Sequence, residues 1–110
     1  MTGTVVQVSV SQGGIPKLAI RSAELTERGI IGDRCRYLFH GSKRQAILLV
    51  TLEGINELIS QGFPLFTGAL GENLTTRGLD RRELRIGQRF EVAAVIRPGF
   101  VRPGDAVRFH

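Results

Sequence analysis

Residues 68–80 read GALGENLTTRGLD. The stretch sets three glycines, a Glu-Asn pair and two adjacent threonines beside few core-forming side chains. Gly71 and Gly78 bracket ENLTT, whose β-branched threonines suit a short strand between two turns. Two roles fit such a segment: an ordinary loop carrying a strand, or the rim of a binding site.

On either side of it the pattern is that of many short elements. Val6, Val8 and Val10 alternate with Val5, Gln7 and Ser9, the period-two signature of a half-buried strand. SQGGIPK reads as a loop, KLAIRSAEL as a further extended piece, and TERGIIGDR as a turn just before its charges. AILLV, residues 46–50, is a continuous apolar run that predicts a strand buried on both faces. TLEGINELISQG predicts a short helix near 52–61, with Leu52, Ile55, Leu58 and Ile59 on one stripe. Thr51 caps its start and Gly62 ends it. RFEVAAVI alternates again, placing Phe90, Val92, Ala94 and Ile96 on one face, and RPGFVRPGDAVRFH turns at each of its Pro-Gly pairs. These segments predict about six or seven short strands plus one helix, most simply a small mixed β-barrel. With no linker in view, residues 1–110 are expected to form a single domain.

The totals narrow the function classes. A hydrophobic content of 42% with 23% charged residues is that of a globular chain. No apolar run approaches the roughly 20 residues that span a bilayer. The start, MTGTVVQVSV, lacks the basic and long apolar regions of a secretory signal, so a cytoplasmic protein without membrane association is expected. One cysteine, Cys35, rules out an internal disulfide framework. A net charge of +5 favours small anionic ligands or other acidic partners. Nucleic acid is the weaker partner class, because aromatic residues seldom interleave with the basic ones outside RYLFH.

The densest polar cluster is GDRCRYLFHGSKRQ, residues 32–45. Arg34, Lys43 and Arg44 offer donors suited to phosphate or carboxylate oxygens, and Gly41 allows close approach of a ligand. The same residues would serve equally as a solvated basic loop. Cys35 and His40 lack the further ligands that a dedicated zinc site needs. Asp33 can orient a base, anchor an arginine, or simply close a turn on backbone N–H groups. In GENLT, Glu72 brings a charge and Asn73 a paired donor and acceptor. Neither glycine-rich phosphate-loop template is present.

Taken in order, VSVSQGGIPK, ELTERGIIGDR, HGSKRQAILLVTLEGINEL and GALGENLTTRGLDRRELRIGQRFEV resemble the small stand-alone MOSC-domain proteins, related to the C-terminal domain of molybdenum cofactor sulfurase. The resemblance runs from about Val5 to Val92. It implies a mainly β fold, a small mixed β-barrel of the pyruvate kinase β-barrel-like kind. It also implies binding of the molybdenum cofactor, molybdopterin, or another anionic sulfur-related ligand. A sulfur-carrier role is implied too, and pyridoxal phosphate is associated with the family. Carried onto this chain, the cofactor-binding residues would be Asp33, Arg34, His40, Lys43, Arg44, Gln45, Glu72, Asn73 and Thr75, with Gly32, Gly41 and Gly71 shaping the backbone. The resemblance implies that, as in most relatives, the RFEV strand would be followed by another strand and a Pro-Cys-bearing loop, whose cysteine is the proposed sulfur carrier or metal ligand. Here EVAAVIRPG passes straight on, so that cysteine-bearing segment is expected to be absent. Cys35 stands where relatives often carry His, and it is the one candidate left for a catalytic thiol. Whether the chain is an enzyme is thus left open. The alternative is a shortened, inactive barrel that assembles as a homodimer through an unpaired sheet edge.

Overall fold

The computed structural model describes residues 2–26, 29–33, 47–83, 90–93 and 99–109. Among them the chain is mainly β, with nine strands and one α-helix. In chain order these are β1 (Thr2–Val10), β2 (Leu18–Ile20), β3 (Ala23–Thr26), β4 (Gly29–Ile30), β5 (Leu49–Thr51), α1 (Leu52–Ser60), β6 (Leu74–Arg77), β7 (Phe90–Ala93), β8 (Phe100–Val101) and β9 (Ala106–Phe109). Strands of two or three residues carry no readable period, which is why the sequence suggests fewer of them.

The larger sheet has the order β5-β6-β1-β9-β7, with β2 also on β1. β6 runs antiparallel along one side of β1. The other side is shared: β9 takes Thr2–Thr4 and β2 takes Val8–Val10. Between them the Val5 N–H donates to the Asp105 carbonyl and the Gly104 N–H to the Val5 carbonyl, each at 2.8 Å. β3 joins β4 and β8 in a smaller sheet. The larger sheet ends at β5 and at β7, and no closed barrel is found among the described residues.

Two local readings change. The period-two pattern of β1 is broken by a bulge between Val5 and Gln7, where the register against β6 shifts. The bulge puts Val5 and Val8 on one face, both fully buried, while Gln7 and Ser9 point the other way. AILLV is not a strand buried on both faces: β5 starts only at Leu49, lies at the sheet's end, and leaves Leu48 46% exposed. An apolar run marks burial but cannot say how many neighbours the strand will have.

α1 follows the sequence closely. The Thr51 hydroxyl accepts the Gly54 N–H at 3.1 Å, and Gly62, at φ +99°, ends the helix. Ile55 is its buried residue, whereas Ile59, expected on the same stripe, is 42% exposed. The core is built from Val5, Val8, Ala23, Ile30, Leu74, Leu79, Val101 and Val107, drawn from both sheets. Each fully buried valine or leucine there contributes about 1.5–3 kcal/mol.

Candidate functional site

The chain reaches Asn73 through a tight turn over residues 67–70, closed by the Ala69 N–H on the Phe66 carbonyl at 3.0 Å. The Lys17 N–H then binds the Gly68 carbonyl at 2.9 Å. Gly68 sits at φ +96°, and a Cβ there would collide with the Lys17 carbonyl oxygen. Gly68, the first glycine of GALGEN, is therefore required by two independent constraints, its own dihedral and the neighbouring loop's backbone. That close approach brings the GGIPK loop and the GENLT segment together.

At their junction lies a buried polar cluster. Asp33 Oδ2 accepts from Lys17 Nζ at 2.6 Å and from Asn73 Nδ2 at 2.9 Å, while Asp33 Oδ1 accepts the Ser11 N–H at 2.9 Å. The Lys17 and Asp33 side chains are 8% and 3% exposed. A buried ion pair of this kind needs hydrogen bonds on its remaining lone pairs to offset desolvation, and Ser11 and Asn73 supply them. Asn73 Nδ2 also donates to the Ser9 carbonyl at 3.2 Å, and Asn73 Oδ1 accepts the Leu48 N–H at 3.2 Å. The turn that presents Asp33 is set by its N–H on the Ile30 carbonyl at 3.1 Å, past Gly32 at φ +92°.

A second polar layer lies on the face of β1 opposite the core. Gln7 Nε2 donates to Ser9 Oγ at 2.9 Å and to the Thr67 carbonyl at 3.2 Å, and the Thr67 hydroxyl returns a bond to Gln7 Oε1 at 2.8 Å. Glu72 is fully buried; Oε1 accepts the Leu70 N–H at 3.2 Å and Oε2 the Thr75 hydroxyl at 3.4 Å. Among the described residues this carboxylate has no cationic partner.

Of the residues singled out in the sequence, Asp33 and Asn73 come into direct contact, and Glu72 and Thr75 pair beside them. Arg34, Cys35, His40, Lys43, Arg44 and Gln45 lie outside the described residues. So does a shared pocket of Arg34, Lys43 and Arg44 with Asn73, and so do Ala94 and Ile96 of the expected β7 face. Lys17, Ser9, Ser11 and Gln7 belong to the cluster and escaped the sequence reading. A lone lysine after a Gly-Gly-Ile-Pro turn looks like a solvated loop residue; its place at the end of VSVSQGGIPK was the available signal. Away from the site, a hydrogen bond to Asp80 at 3.1 Å, reinforced by that carboxylate's charge, raises the exposed Arg82 guanidinium above its ordinary value.

Chemically, the described donors and acceptors of the cluster bind one another. No group of three or more His, Cys, Asp or Glu side chains among the described residues could hold a metal ion. No helix among them is long and apolar enough to cross a membrane. A family model described as MOSC domain matches residues 36–96. Comparisons with curated proteins and with solved structures returned no match.

Proposed function

The chain belongs to the MOSC domain family, and from that premise we propose that it binds a molybdenum-pterin-type cofactor or a related anionic, sulfur-bearing ligand. The observation that carries this reading is the span of the family match, residues 36–96, which takes in GENLT and the basic stretch from Arg36 onward. The ligand's anionic group would be met by Arg34, Lys43 and Arg44, with His40 and Gln45 beside them, and Asp33, Glu72, Asn73 and Thr75 would shape the floor. The donor chemistry among the described residues fits a cofactor that brings its own ligands for molybdenum, since no protein cluster there would hold the metal. Bound in that form, the cofactor would supply the sulfur or redox chemistry. The protein's part is to bind and orient. In this reading the sheet curves towards the family's barrel. Pyridoxal phosphate is a secondary ligand candidate for the same cationic groups.

Sulfur transfer by the chain itself would have to run through Cys35, its only cysteine. Native mass spectrometry of purified protein tests the reading. A bound pterin, or a persulfide on Cys35, is the expected result; protein that carries neither and takes up no added molybdopterin refutes it. A second reading, an assembly module without chemistry, draws on the larger sheet ending at β5 and β7 among the described residues. Sedimentation decides that one: a strict monomer removes it.

A further inference from the structure

The Asn73 side chain makes three hydrogen bonds, and together they use its whole donor capacity. Nδ2 donates to Asp33 Oδ2 at 2.9 Å and to the Ser9 carbonyl at 3.2 Å, and Oδ1 accepts the Leu48 N–H at 3.2 Å. A carboxamide carries two N–H donors and one carbonyl oxygen. With the residue 2% exposed, no N–H is left to reach a ligand.

The partners come from three stretches of chain: the end of β1, the Ile30–Asp33 turn and the approach to β5. Two of them bracket the basic stretch. Residues 34–46 follow Asp33 directly and lead into Ile47 and Leu48, and they include Arg34, Arg36, Lys43 and Arg44. Asn73 thus holds the point where this stretch departs and the point where it returns. The backbone of Asn73 is held as well, its N–H on the Leu48 carbonyl and its carbonyl on the Ser9 N–H, both at 2.8 Å. Asp33 is braced from its far side by Lys17 at 2.6 Å and the Ser11 N–H at 2.9 Å. A residue that served only to start β6 would have no need of Asp33, which lies forty positions away in sequence.

We infer that Asn73 is a positioning residue, a clasp that joins Asp33 to Leu48 and thereby fixes the two anchor points of the basic stretch, rather than a ligand contact. For the identity of the ligand this rests on the function proposed above; the clasp itself does not. Its test compares wild type with Asn73→Ala by amide hydrogen exchange, and by titration with inorganic phosphate as the anion probe. The bond to Asp33 involves a charged partner, so Asn73→Ala should speed exchange at both Ser11 and Leu48 by about tenfold or more and leave Val8 and Val107 unchanged. Phosphate affinity should fall by about tenfold on the same grounds. In a Lys17→Met, Asp33→Ala background, which leaves no unpaired buried charge, Asn73→Ala should cost less than about threefold more, because the residues act through one another. Asn73→Asp combined with Asp33→Asn restores a donor–acceptor pair with the roles exchanged. It should recover part of what Asn73→Asp alone loses, and it supplies the same readouts if Asn73→Ala does not fold. Faster exchange at Leu48 with none at Ser11, or affinity losses that multiply, overturns the clasp. A wild type that binds no phosphate counts against the anion-binding function, and exchange at Ser11 and Leu48 then decides the clasp alone.

Discussion

Lys17 carries its ammonium group to within 2.6 Å of Asp33, in surroundings that leave its side chain 8% exposed. The two partners differ in what remains when the other is lost. Asp33 without Lys17 keeps the Ser11 N–H and Asn73 Nδ2 as donors. The Lys17 ammonium without Asp33 keeps no hydrogen bond among the described residues. Asp33→Ala should therefore cost about 3–5 kcal/mol, the usual result of stranding a buried charge. Lys17→Met should cost at least about 1 kcal/mol less, because its partner stays hydrogen-bonded. Urea unfolding of both variants checks the order, and equal losses would show that the carboxylate depends on the ammonium alone. Thr76 presents the opposite case. It is fully buried and its hydroxyl has no partner among the described residues, so Thr76→Val should raise stability by roughly 1 kcal/mol in thermal unfolding. At this scale the site was partly legible. Asp33 and Asn73 stood out because Gly-Asp and Glu-Asn in turns attract attention, whereas Lys17 looked like any loop cation.

Among the elements, α1 was read almost to the residue, because its signals are local. Thr51 caps it and Gly62 ends it within a few positions of its first and last turns. Replacing Thr51 with Ala removes the hydroxyl that accepts the Gly54 N–H and should lower stability by about 1 kcal/mol, read from the shift in the denaturant midpoint at unchanged slope. The strands were less legible. β6 was expected from ENLTT and occurs at Leu74–Arg77, yet its depth came as a finding: Leu74, Thr75 and Thr76 are all fully buried. It is central because β1 pairs with one side and β5 with the other. β5 was misjudged in the other direction, since apolar content alone does not distinguish the middle of a sheet from its end. In β1 the bulge after Val5 exchanges faces, a change that no count of alternating residues reveals.

Across the whole molecule, residues 100–109 hold the two sheets together. Phe100 and Val101 pair with β3, and the next strand, β9, runs between β1 and β7. Val101 and Val107, both fully buried, carry the core from one sheet to the other. A chain ending at Arg102 would lose β9, leaving Thr2–Thr4 and Phe90–Ala93 without their partner strand. Such a chain should show no cooperative thermal transition, a result that circular dichroism can check; a sharp transition would mean that the remaining strands form a self-sufficient core. β9 also pairs directly with β7, Val92 opposite Val107.

Some features needed only the sequence. The mainly β character, the helix after Thr51 and the concentration of basic side chains in residues 32–45 follow from local preference, spacing and charge, which act between near neighbours in the chain. The motifs within residues 36–96, where the family model matches, are legible in the same way. The fold alone decided which strand is central, where the bulge redirects β1, and that Lys17, Asp33 and Asn73 meet. Those outcomes depend on contacts between residues 16 to 64 positions apart. Such contacts form only when separate segments share one buried volume, where an unpaired polar group is costly enough to select its partner.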